Sequence, residues 1–104
     1  MIRVSVMYPN QEGKKFDHEY YATTHFDLVK QHFNPHGLVS CAVDTGLGGG
    51  APGSSAPFVS IGNLMFNNME DFQAAMAVAE PVMADIVNFT DIEPQIQISE
   101  INEL

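Results

Sequence analysis

Ile2, Val4, Val6 and Tyr8 alternate with Arg3, Ser5 and Met7 along the first segment of the chain. A period of two built largely from β-branched residues predicts a strand, and Pro9-Asn10 ends it. Asp17 is placed to cap a helix running to about Phe33, where Asn34-Pro35-His36-Gly37 stops it. With about 100° between successive helical residues, Tyr21, His25, Leu28 and His32 share one stripe, with Val29 beside it. That stripe is the expected core-facing side, because Glu19, Asp27 and Lys30 fall elsewhere.

Leu38 to Thr45 mixes small and β-branched residues and predicts a second strand. Gly46 to Pro57 holds five glycines, two prolines and two serines, the composition of a loop. Phe58 to Phe66 reads as a third strand that pairs with the second as a long-looped hairpin. Met69-Glu70-Asp71 opens a second helix, with Phe72, Ala75, Met76, Ala79, Met83 and Ile86 along one face. Pro81 lacks a backbone donor, so a bend or break is expected there. Ile92 to Ile98 reads as the last strand, setting Ile92, Ile96 and Ile98 against Glu93, Gln95, Gln97 and Ser99.

The order β-α-β-β-α-β is that of an α+β, ferredoxin-like fold: a four-stranded antiparallel sheet with its helices on one face. Strands one and three carry apolar residues on both faces, which leaves one apolar sheet face uncovered. Soluble monomers avoid such patches, so a homodimer packed through this sheet face is expected.

Length and charge narrow the field. The chain has 104 residues and 11.4 kDa, with 45% hydrophobic and 16% charged residues, so residues 1–104 read as one globular domain. Mass scaling gives roughly 5,800 Å² of folded surface against about 16,500 Å² unfolded, enough burial for a core without staples. Four Lys and Arg stand against 13 Asp and Glu, a net charge of −9. So acidic a chain offers no basic surface for nucleic acid or for anionic membranes. Cys41 is alone, which excludes an internal disulfide and a cysteine-based zinc site. The first residues are too short and interrupted for a secretory signal, and the cytoplasm is the expected location.

The opening Val4-Ser5-Val6-Met7-Tyr8-Pro9-Asn10 leads to Phe16-Asp17-His18-Glu19-Tyr20-Tyr21-Ala22-Thr23-Thr24-His25, and this strand with its "Y-Y-x-x-x-H" helix resembles the start of EthD-family proteins. Gly48-Gly49-Gly50-Ala51-Pro52-Gly53-Ser54, Ile61-Gly62-Asn63-Leu64, Met83-Ala84-Asp85-Ile86-Val87-Asn88-Phe89-Thr90 and Ile92-Glu93-Pro94-Gln95-Ile96-Gln97-Ile98-Ser99-Glu100 also look like that family. The resemblance implies a dimeric α/β barrel, two ferredoxin-like protomers with their sheets packed together. It implies catabolic chemistry as well. The family's namesake is associated with a cytochrome monooxygenase system that degrades ethyl tert-butyl ether. Relatives include cofactor-free isomerases such as a methylmuconolactone methylisomerase, polyketide cyclases and quinone-forming monooxygenases. Where the family often reads His-x-Pro-Leu-Val, this chain has His25-Phe26-Asp27-Leu28-Val29, which lets the helix continue.

His25 is the leading catalytic candidate, since imidazole both takes and gives a proton near neutrality. Tyr21, one turn before it, is the candidate for holding a carbonyl or enolate oxygen. A core histidine bonded to backbone is the alternative use of the same pattern. Tyr8, Leu28 and Phe72 are expected to wall a pocket for a small, apolar, oxygenated ligand. His18, His25 and His32 recur every seven residues, about 10.5 Å apart along a helix axis. Metal–nitrogen bonds of about 2 Å cannot bridge that spacing, so no metal site is expected. The glycine loop lacks a Gly-Lys-Ser/Thr ending and leads into a strand, so it is read as structural. Cys41, mid-strand and without a cationic neighbour, reads as a small buried hydrophobe.

The combined reading is an enzyme of isomerase, cyclase or lyase type that needs no cofactor. A non-catalytic binding or accessory protein of an oxidative degradation pathway is the alternative, followed by a cofactor-independent monooxygenase.

Overall fold

A computed structural model describes residues 1–104. Four strands, β1 (Ile2–Pro9), β2 (Leu38–Thr45), β3 (Phe58–Phe66) and β4 (Gln95–Glu100), form one antiparallel sheet in the order β2-β3-β1-β4. All helices lie on one face, the expected ferredoxin-like architecture. Helix α1 covers residues 18–33, α2 is Met69–Met76 and α3 is Glu80–Ala84.

The register explains which side chains meet the helices. Val4 pairs with Leu64 and Ile98, and Val6 with Gly62 and Ile96, so these residues share the helix-covered face. Val4, Tyr8, Leu64 and Phe66 are buried there against Tyr21, Phe26, Val29, Phe33 and Phe72. The opposite face carries Arg3, Ser5 and Met7 on β1, Ile61, Asn63 and Met65 on β3, and Gln95, Gln97 and Ser99 on β4. The polar row of the last strand therefore faces away from the helices. The protein is a slab of 40 × 37 × 18 Å with 6388 Å² of surface, above the scaling value, because one sheet face is bare.

The Asp17 carboxylate caps α1 by accepting from the Tyr20 N–H at 3.0 Å. Asn68 caps α2 in the same way, accepting from the Asp71 N–H at 2.8 Å. Helix α1 is not α-helical throughout: Tyr21–His25 form a π turn between the α segments His18–Tyr20 and Phe26–Phe33. The Thr23 hydroxyl donates to the Glu19 carbonyl at 2.6 Å within this stretch, a side-chain bond that competes with the backbone ladder. A π turn holds one extra residue, so every position after it is rotated by one step. The buried stripe consequently runs Tyr21, His25, Phe26, Val29 and Phe33. Leu28 and His32, expected on that stripe, are displaced to its flank and are half-buried.

Two boundaries also differ from expectation. The second helical stretch breaks after Met76, and Pro81 sits in the first turn of α3, where its missing N–H costs nothing. Ile92 is buried but precedes β4. Its N–H bonds the Thr90 hydroxyl at 3.0 Å, and the chain joins the ladder only after Pro94.

Candidate functional site

The chain returns to the start of α1 after α3. The Asp17 N–H donates to the Phe89 carbonyl at 2.8 Å, Phe16 bridges to Thr90, and the Thr90 hydroxyl donates to the Lys15 carbonyl at 2.6 Å. These bonds hold the turn Asp85–Asn88 against the π turn of α1. Asp85 is thereby brought to His25 across 60 residues of sequence, with Nδ1 and Oδ2 2.9 Å apart. The other oxygen of Asp85 accepts from the Tyr20 hydroxyl at 2.8 Å and from the Asn88 amide at 2.9 Å. Three donors thus fix one carboxylate.

The electrostatics follow from this arrangement. Burial pushes the His25 imidazole below its ordinary value, and Asp85 opposes that push without cancelling it. Burial would raise the Asp85 carboxyl, yet hydrogen bonds from Asn88, His25 and Tyr20 hold it below the usual carboxylate range. At neutral pH the pair is a neutral imidazole beside an ionised carboxylate, so Nδ1 carries the proton and donates it to Oδ2. Nε2 keeps its lone pair and receives no hydrogen bond from the protein. The hydrogen bond to Asp85 raises the Tyr20 phenol.

His25 is 5% exposed, and its ring stacks on Tyr21 at 5.5 Å and 18°. It lines a hollow of about 80 Å³ between the helices and the sheet. Tyr8, Tyr21 and Phe72 line the same hollow, with Val4 and Leu64 on its floor. Leu28 does not line it; Val29 does, the position one step on that the π turn rotates inward. The rings of Tyr8 and Tyr21 meet edge to face at 5.5 Å, and burial raises both phenols well above their ordinary value, so both stay protonated. Tyr21 reaches the sheet only because position 62 is glycine: a Cβ there would collide with its hydroxyl. Chemically, the site sets an unprotonated ring nitrogen and two un-ionised phenols around an apolar space.

Four of the residues expected from sequence are brought together: His25, Tyr21, Tyr8 and Phe72. His18 is tilted against Phe16 at the start of α1, and His32 lies two turns beyond His25. No group of three or more His, Cys, Asp or Glu is placed to hold a metal ion. Asp85 and Tyr20 were not singled out from sequence. The signal for Asp85 is faint: an acid beside Ile86 at the end of an apolar helical face.

The EthD domain model matches residues 11–93. The chain belongs to the EthD family. An EthD-like protein from Ralstonia eutropha shares 40% identity with this EthD chain and superposes with a TM-score of 0.89, over 95% of this chain and 89% of that one. An ethyl tert-butyl ether degradation (EthD) family protein from Bacillus halodurans shares 20% identity with a TM-score of 0.73, over 98% and 99% of the two chains; that likeness speaks to fold alone. No curated protein matches the chain. No helix is long and apolar enough to cross a membrane.

Proposed function

We propose that this EthD-family protein is a proton-transfer enzyme, of isomerase, cyclase or lyase type, acting on a small apolar oxygenated molecule in a catabolic pathway. The supporting observation is the His25–Asp85 pair at 2.9 Å, which leaves Nε2 unprotonated on a residue that lines the hollow. Nε2 takes a proton from carbon next to a carbonyl, and the imidazolium that forms is stabilised by Asp85. The negative charge moves to the carbonyl oxygen, where the Tyr21 or Tyr8 hydroxyl donates to it. The imidazolium then returns the proton to a different carbon or to a leaving group. No further reagent is consumed.

Deuterium incorporation next to the carbonyl of short ketones in D₂O, followed by NMR, tests this reading. Wild-type protein accelerates exchange, His25→Ala falls to the uncatalysed rate, and Asp85→Asn slows exchange by about 10²-fold or more. Undiminished exchange in His25→Ala overturns it. A binding protein for a hydrophobic intermediate is the second reading, favoured by the hydrophobic lining, 15 of 17 residues. Binding without exchange or turnover in wild type selects it. The working unit is a homodimer closed through the bare sheet face, where Met65 beside Arg3 and Met7 beside Ile61 flank a polar middle row of Ser5, Asn63 and Gln97.

A further inference from the structure

The rim of the hollow is as apolar as its floor, yet nothing covers it. Met76, Met83 and Ile96 border the opening and are 38%, 49% and 52% exposed. Ile98, 42% exposed, continues the row along β4. Ile96 and Ile98 pair with Val6 and Val4 and so stand on the helix side of the sheet, but no helix reaches them. The result is an apolar track leading outward from the cavity.

The enclosed part is small. A cavity of roughly 150 Å³ accepts benzene, and this hollow has about half that volume, about 80 Å³. Only a head of a few heavy atoms fits beneath His25. The site also lacks a counter-ion for an anion. Of the four basic side chains, Arg3 lies on the opposite sheet face, Lys14, Lys15 and Lys30 are exposed, and none borders the hollow. The nearest fixed charge is the Asp85 carboxylate behind the imidazole, and the whole chain is at −9. An anionic head would lose its hydration and gain no partner.

We propose that the site selects a neutral, elongated molecule. Its compact oxygen-bearing head, about the size of a methyl ketone, sits under His25. Its unbranched apolar tail leaves through the opening and lies along Met76, Met83, Ile96 and Ile98. This rests on the reading of the hollow as a small-molecule site, but its test reads binding rather than turnover.

The test is a titration of 2-alkanones from 2-butanone to 2-nonanone, and of straight-chain alkanoates of equal length, followed by NMR shifts and calorimetry at pH 7. For ketones longer than the hollow holds, affinity rises about threefold per methylene, a little under the value for full burial because the track is open on one side. Each alkanoate binds at least tenfold more weakly than its ketone. Ile98→Ser, on the track but outside the hollow, lowers the slope of the series while leaving the affinity of 2-butanone within about twofold. A ketone series in wild type that is flat from the shortest member, as when a second copy of the chain occupies the track, overturns the proposal. So does an alkanoate that binds as well as its ketone. Wild type with a rising series but no deuterium exchange supports this inference while rejecting the enzymatic reading; exchange with a flat series does the reverse.

Discussion

The contact between α1 and the sheet has two ends built from similar aromatic residues. At the end nearer β2, Phe33, Phe66 and Phe72 close on one another, with Phe66 fully buried and its ring 5.9 Å from Phe72. At the other end Tyr21, Phe26 and Phe89 also pack edge to face or tilted, but around His25, whose ring is 4.7 Å from Phe89. Here the aromatic packing surrounds a titratable pair instead of excluding polarity. The difference lies in the π turn, which carries His25 and Phe26 to the buried side together with Tyr21.

Apolar rings give the first end its stability and the second end its chemistry, and substitutions should separate the two. Phe66→Ala has the largest expected effect, a loss of about 3–5 kcal/mol in denaturant unfolding, because it opens a cavity in closed packing. The titration of His25 by NMR should be unchanged in that variant; a shifted titration would mean the two ends are not independent. Gly62→Ala is next, at about 1–3 kcal/mol, since the new methyl group drives the Tyr21 hydroxyl off the sheet. Unlike Phe66→Ala, it should also disturb the His25 resonance, because the two rings are stacked.

The smallest effect is the pH dependence. The folded state holds His25 below its unfolded value, so the unfolded chain binds more protons as pH falls through about 6.5. Stability from the neutral imidazole is therefore complete above that pH and declines below it. Asp85, also held low when folded, adds a second decline only at much lower pH, as its carboxylate is protonated. Melting temperature should fall by a few degrees between pH 7 and 5, and His25→Gln should flatten that slope. An unchanged slope would show that His25 is not held neutral.

Legibility in the sequence followed the same division. The strand limits of β2 and β3 were readable because small and β-branched residues run up to the glycine- and proline-rich loop of Gly46 to Pro57, and Asp17 and Pro81 carry local backbone rules. The fold follows from that order of elements. That His25, Tyr21, Tyr8 and Phe72 share one hollow was readable from their spacing and their likeness to the EthD pattern. Leu28 was expected in place of Val29 because a single added residue in one turn leaves no mark on an apolar pattern, and its effect emerges only downstream. Asp85 could not be read as a partner of His25, since only the bonds of Lys15 and Asp17 to residues 89–91 bring the two segments together. The start of β4 was misplaced because Ile92 continues the alternation while its N–H is turned to Thr90.

Met83 and Asp85 lie two residues apart on one short stretch, the first at the doorway and the second holding the imidazole. A break after Met76 separates this stretch from α2. Because the two share one segment of backbone, a shift of that segment moves rim and carboxylate together.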